Sequence, residues 1–232
     1  MSFWRRLFRA GFDVCGISDA GLVRRENQDS FFWDRRRGIF CVADGMGGGQ
    51  GGAAASSILT AEIAKSASGP ALKRSVAAVD RAVDSAGRSI REYAARHGFA
   101  AMATTLAVLA VDSRAGRAAI GNVGDSRVYR RRNRQLVQLS VDHRANQLSN
   151  FLTRAVGADS GVDVEWRETD IAPGDVYLVC SDGVSDMLPD STINAILARG
   201  GDAQRIAEGI SGAVRRAGAR DNYTLLVVRN PA

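Results

Sequence analysis

Short apolar runs rich in β-branched residues alternate along the chain with two long stretches of helical spacing, and the runs stop on turn-forming residues. Strands are expected at 12–18, 31–34 and 39–43. A helix over 53–65 follows a glycine cluster. A second helix starts at Pro70, a residue suited to a first helical position. Within it Leu72, Val76, Val79, Val83, Ala86, Ile90 and Tyr93 are spaced by alternating fours and threes, which makes one continuous apolar stripe. Gly98 ends it.

The middle of the chain has the pattern of strands. Runs at 104–112 and 117–123 flank 113–116 as a hairpin, and runs at 127–131 and 135–140 flank 132–134 as another. A further pair is expected from 162–169 and 175–181, turning at Pro173 and Gly174. Two capped helices, 190–199 and 202–217, precede a last strand at 223–228. Strands, two helices, antiparallel strands, two helices and a strand make an α+β arrangement with helices segregated onto sheets.

The pivot is 39–52, IFCVADGMGGGQGG. A strand that stops on Asp44 puts a carboxylate at a sheet edge, and the glycines let backbone groups approach the same ligand. Gly47, Gly49 and Gly52 also satisfy the GxGxxG spacing of a dinucleotide turn. That alternative needs a second strand after one helix, with an acid about 20 residues on, whereas 53–98 is predicted as helix followed by helix. The lysine of a phosphate-cradling P-loop is missing too.

At 232 residues and 45% hydrophobic content the chain can bury a full core as one domain, with 1–11 as an N-terminal extension. Its apolar runs fall short of the about 20 residues that cross a membrane, and no signal-peptide layout opens it. A cytoplasmic location is expected. Cys15, Cys41 and Cys180 are odd in number and sit in strand-like runs, which suits buried thiols in a reducing compartment. None begins a C-x5-R pattern. Net charge is +6, and only Lys65 and Lys73 of the 31 basic residues are lysine. Arginines cluster at 5–9, 35–37 and 130–134 without interleaved aromatics, so base stacking is not indicated and no nucleic-acid partner is expected. The clusters are read as hairpin tips and solvated faces. Residues 2–10 have the pattern of a short amphipathic helix that docks on its own domain.

Four aspartates, Asp44, Asp125, Asp182 and Asp221, lie at margins of apolar strands beside Gly or Asn. Any one alone is an ordinary turn former. Gathered together they would repel and call for counter-ions. Two histidines and scattered cysteines make zinc a poor candidate, while oxygen ligands suit Mg²⁺ or Mn²⁺. Paired ions of that kind activate water and clamp a phosphoryl group, and Arg24 and Arg25 offer guanidinium groups for the phosphate.

The motifs GLVRRENQD (21–29), VADGMGG (42–48), MATT (102–105), GNVGDSR (121–127), DH (142–143), LTRAVG (152–157), CSDG (180–183) and RDN (220–222) occur in one order. In that order they resemble the metal-dependent Ser/Thr protein phosphatases of the protein phosphatase 2C family, compact bacterial type. The resemblance implies a four-layer α-β-β-α sandwich with two central antiparallel sheets and a metal centre at one end. It implies Mn²⁺ or Mg²⁺ as cofactor, two ions, with a third in bacterial members. Asp44 would bridge two ions, the Gly45 carbonyl would bind the second, and Asp182 and Asp221 would complete the first. Asp125 and Asp182 would hold the third. Arg24 would grip the substrate phosphate, with Asp29 and Asn222 orienting the ligands. A water bridging the ions would attack phosphoserine or phosphothreonine in protein substrates.

Three departures accompany the match. Met46 stands where some members have a histidine proposed as the acid, leaving that task to a metal-bound water or to His143. Ala103 replaces a glycine. Only 144–151 separate His143 from Leu152, where many relatives carry a longer mobile flap. The expected protein is a monomeric phosphatase opposing a bacterial-type Ser/Thr kinase. The alternative is a catalytically silent module of the same shape that binds phosphoproteins. No GxSxG elbow or DxDx[TV] motif supports other hydrolase chemistry.

Overall fold

The computed structural model describes residues 11–48, 50–66, 69, 71–145 and 151–231. The helix expected over 2–10, the glycine at 49, the start at Pro70 and most of 144–151 lie outside those residues. Among the described residues eleven strands and five helices follow in chain order. They are β1 (Asp13–Asp19), β2 (Asp29–Asp34), β3 (Ile39–Met46), α1 (Gln50–Ser66), α2 (Leu72–His97), β4 (Ala103–Thr104), β5 (Leu106–Asp112), β6 (Arg117–Val123), β7 (Arg127–Arg132), β8 (Gln135–Gln138), β9 (Glu165–Asp170), β10 (Val176–Cys180), α3 (Asp182–Ser185), α4 (Asp190–Ala198), α5 (Ala203–Arg216) and β11 (Tyr223–Arg229).

The strands form two antiparallel sheets. One runs β1-β11-β10-β7-β8, the other β2-β3-β5-β6-β9 with β4 added beside β3. Period-2 alternation sends the side chains of the central strands into two different cores. From β3, Phe40 and Val42 join Leu109, Ile120, Tyr177, Val179, Leu226 and Val228 between the sheets. Ile39, Cys41 and Ala43 point the other way, onto Leu59 and Ile63 of α1 and Val79, Val83 and Ile90 of α2. Leu178, Cys180, Leu225 and Val227 likewise meet Ile193 of α4 and Ile206 and Ile210 of α5. The result is the four-layer α-β-β-α sandwich, and strands buried on both faces explain why their sequences are apolar runs.

The apolar stripe of α2 faces inward as its spacing predicts: Leu72, Val79, Val83, Ala86 and Ile90 are buried, while Val76 and Tyr93 pack at its edge. Helix α1 begins at Gln50, inside the glycine cluster and ahead of the expected start at 53. Both predicted hairpins, β5–β6 and β7–β8, form. Asn133 and Arg134 take the left-handed conformation that a tight two-residue hairpin turn requires (φ 50° and 69°).

The third predicted pair does not form. β9 joins the edge of β6, and β10 enters the other sheet between β7 and β11. The short link between them therefore crosses from sheet to sheet. It is pinned by Asp175, whose carboxylate, fully buried, receives Nε and Nη2 of Arg132, each at 2.7 Å. Two parallel charge-assisted bonds make this a strong anchor. Arg132 is thus a structural ion-pair partner and not part of a merely solvated tip.

Candidate metal and phosphate site

Strand direction alone gathers the aspartates. β3 and β6 are both antiparallel to β5 and so run the same way, bringing Asp44 and Asp125, just past Val123, to one rim. Asp29, at the start of β2, faces Asp44 in the ladder. In the other sheet β10 ends opposite Leu225, which leaves Asp182 beside the start of β11 and therefore beside Asp221. A hydroxyl joins the two rims: Ser181 Oγ donates to Asp29 Oδ2 at 2.7 Å and accepts from the Thr224 N–H at 2.9 Å. Asp44, Asp125, Asp182 and Asp221 consequently line one cleft of about 380 Å³ with Arg24, Gly45, Met46, Leu152 and Asn222.

Neighbouring threonines fix Asp44 by its backbone. Its N–H donates to Thr105 Oγ1 at 2.9 Å, and its carbonyl accepts from Thr104 Oγ1 and the Thr105 N–H, both at 2.9 Å. Thr105 Oγ1 also meets Ser126 Oγ at 2.7 Å, which couples Asp44 to the turn that carries Asp125. Gly45 and Gly183 each follow a cleft aspartate for one reason, close backbone approach. A Cβ on Gly45 would collide with the Gly52 carbonyl, and one on Gly183 with the Asn222 carbonyl.

Asn222 serves the phosphate-binding candidate. Its Nδ2 donates to the carbonyls of Ala20 and Glu26, and its Oδ1 accepts from the Gln28 N–H, at 2.8–2.9 Å. Those bonds staple the 20–28 loop, and with it Arg24, beside Asp221. Arg24 Nη2 reaches Asp221 Oδ2 at 2.8 Å with both side chains about half exposed. An exposed pair of this kind contributes at most about 1 kcal/mol, so Arg24 can turn to another anion at little cost.

The electrostatics show an excess of negative charge. Burial, reinforced by Asp29, Asp182 and Asp125, holds the Asp44 carboxyl well above the usual carboxylate range. Burial pushes Asp182 up to about 7, with Asp125 and Asp186 adding repulsion. Asp29 is pushed up to about 6, again chiefly by burial and against the Ser181 hydrogen bond. These groups favour the protonated form in the fold. The stability they contribute is fully present below their unfolded values near 4 and lost as pH rises through about 6 and 7. The melting temperature of metal-free protein is therefore expected to fall by roughly 5 °C between pH 5 and pH 8. Added Mn²⁺ should cancel most of that fall, because a cation replaces the protons. A metal-free melting temperature that rises over this interval would contradict the charge assignment.

The donor set fits hard divalent cations: carboxylates and a glycine carbonyl, with neither thiol nor imidazole in the lining. Asp29 Oδ1 is buried and finds no donor among the described residues. No three acidic, His or Cys side chains among those residues close into a cage by themselves. The flanking carboxylates instead answer to arginines, Asp221 to Arg24 and Asp125 to Arg144.

His143 does not line the cleft. It is buried, with Nδ1 accepting from the Gly124 N–H at 3.1 Å and Nε2 facing Glu165 at 3.1 Å, so it holds the loop after Asp125. Sequence reasoning overlooked Arg144, Asp186 and the one-turn helix α3. It named the MATT and CSDG motifs without assigning Thr104, Thr105 or Ser181 their tasks.

A family model described as protein phosphatase 2C matches residues 23–209. The serine/threonine phosphatase stp of Listeria monocytogenes is 30% identical over 91% of this chain and 93% of its own length. Among solved structures, PppA, a key regulatory component of T6SS in Pseudomonas aeruginosa, superposes with a TM-score of 0.89 at 30% identity, covering 95% of this chain and 98% of that one. The catalytic domain of the serine threonine protein phosphatase PstP in complex with two manganese ions superposes at 0.85 and 28% identity, covering 96% and 99%. With the two-sheet sandwich and the aspartate rim, these matches place the chain in the protein phosphatase 2C family.

Proposed function

We propose that this chain is a metal-dependent protein phosphatase that hydrolyses phosphoserine and phosphothreonine in proteins. The observation that carries the reading is one cleft holding four convergent aspartates with a half-exposed arginine at its edge. Similar chains are named serine/threonine phosphatases, and one of them holds two manganese ions. In this reading Asp44, Asp182, Asp221 and the Gly45 carbonyl hold two ions, Mn²⁺ or Mg²⁺. Bound ions of this kind lower the pKa of water and neutralise charge on a phosphoryl group.

The chain's own residues do the rest. Arg24, freed from Asp221, forks onto the phosphate oxygens and orients the ester. Thr104 and Thr105 keep Asp44 rigid, and Asp29 offers a buried acceptor beside it. With Met46 in the cleft and His143 turned to Glu165, the leaving alcohol takes its proton from water in the open cleft. Residues 1–232 act as one catalytic domain, with 1–11 as an N-terminal extension. The buried thiols of Cys41 and Cys180 suit the cytoplasm, and no helix among the described residues is long and apolar enough to cross a membrane. A bacterial-type Ser/Thr kinase supplies the substrates of a monomeric enzyme. None of the expected metal-ligand positions is lost, which speaks against the silent binding module.

Turnover of p-nitrophenyl phosphate and a phosphothreonine peptide, with and without Mn²⁺, tests the proposal; no metal-dependent phosphate release overturns it. Arg24→Ala should raise KM for the peptide about 10- to 100-fold, the worth of a charge-assisted hydrogen bond, and change kcat less. A KM left within a factor of two would remove Arg24 from the phosphate.

A further inference from the structure

Asp125 is expected to serve a third ion together with Asp182, but a cation already stands there. Arg144 Nε meets Asp125 Oδ2 at 2.7 Å, and its Nη2 reaches Asp186 at 3.0 Å and Asp182 at 3.6 Å. The Arg144 side chain is 9% exposed and that of Asp125 6%. A guanidinium buried among three carboxylates, bonded directly to Asp125 and Asp186 and near enough to Asp182 to offset its charge, needs no metal beside it.

The arginine is held from both sides by main chain. His143 N–H donates to the Gly124 carbonyl at 2.9 Å, Thr153 N–H to the His143 carbonyl at 2.8 Å, and Ala145 N–H to the Phe151 carbonyl at 3.0 Å. Arg144 pairs with Leu152, itself a wall of the cleft. The guanidinium is therefore built into the rim, unlike the half-exposed head of Arg24.

We propose that Arg144 is a resident cation that takes up Asp125 and one side of Asp182, so that the chain binds two divalent ions and Asp125 ligates neither. The inference rests on the metal-dependent reading of the cleft. It assigns Arg144 a positioning role: it neutralises Asp125 and fixes the outer face of Asp182, leaving the inner face to Asp44 and Asp221.

Calorimetric titration of the full chain with Mn²⁺ alone decides the matter. Wild type should bind two equivalents. Asp125→Asn should keep both, with affinities within about threefold. Arg144→Ala should gain a third, weaker equivalent, since three carboxylates then lack a partner. Three equivalents in wild type, an equivalent lost or weakened tenfold in Asp125→Asn, or a folded Arg144→Ala chain that stays at two would each overturn the inference. Circular dichroism establishes whether the alanine variant folds, and the wild-type and Asp125→Asn titrations decide without it. No Mn²⁺ binding by wild type would overturn the metal-dependent function itself, and this inference with it, an outcome distinct from three equivalents.

Discussion

Asp44→Asn is expected to lower Mn²⁺-dependent phosphate release by about three orders of magnitude, while the metal-free protein becomes more stable. The two effects have one cause. Asp44 is crowded by other carboxylates, with Asp29, Asp182 and Asp125 all raising its proton affinity on top of burial. Asparagine keeps the shape and the backbone bonds to Thr104 and Thr105 but removes the charge. Without metal, the repulsion disappears and the melting temperature rises by about 3–8 °C, at roughly 2–4 °C per kcal/mol for a chain of this size. With metal, a carboxylate that would hold the ions in the proposed reading is neutral, and a loss of about 4 kcal/mol of transition-state stabilisation is a thousandfold in rate. Kinetics with Mn²⁺ and thermal melts in chelator read the two halves separately. Activity within tenfold of wild type would take the metal centre away from Asp44. Lost activity with a lowered metal-free melting temperature would mean damage to the fold instead.

How much of this was legible in the chain depends on whether a signal is local. Asp44 and Asp182 each end an apolar run and precede a glycine, so their place at a strand end could be read directly, and direction along antiparallel neighbours then fixed the shared rim. The inward stripe of α2 and the β5–β6 and β7–β8 hairpins were legible for the same reason. The pairing of β9 with β10 was misjudged because two strands across Pro173-Gly174 have the pattern of a hairpin. What separates them is non-local: the free edge of β6 and the Arg132–Asp175 clamp. Helix α3 spans four residues, too few to show a period. Arg144 gave no signal at all, since an arginine in a polar loop has the pattern of a solvated one until Asp125, Asp182 and Asp186 are seen around it. Asn222 was expected to orient metal ligands; its N–H donates to Asp221 Oδ1 at 2.8 Å, and its side chain also holds the Arg24 loop.

Gly183→Ala should be strongly damaging although it adds a single methyl group. Its added Cβ would meet the Asn222 carbonyl and stand 3.1 Å from Tyr223 Cβ. Both contacts lie on the 222–223 backbone or the Cβ fixed to it, which leaves no flexible side-chain end to give way, so either α3 or the start of β11 must move. Moving Asn222 breaks its bonds to Ala20, Glu26 and Gln28, which releases the Arg24 loop, and draws Asp221 away from Asp182. Overpacking of this severity costs about 3 kcal/mol, or roughly 6–12 °C in melting temperature. Mn²⁺ affinity should fall at least about tenfold, the effect of losing the alignment of one ligand. Gly161→Ala is the matched control, because nothing lies within 4 Å of its Cβ position. There the alanine only restricts the unfolded chain, and stability should stay level or rise by a few tenths of a kcal/mol, about the lower end for such replacements. Melts and Mn²⁺ titrations of both variants separate the outcomes. A Gly183→Ala protein that melts with wild type and binds Mn²⁺ as tightly would show that the crossing of β11 over α3 does not set the spacing of Asp182 and Asp221.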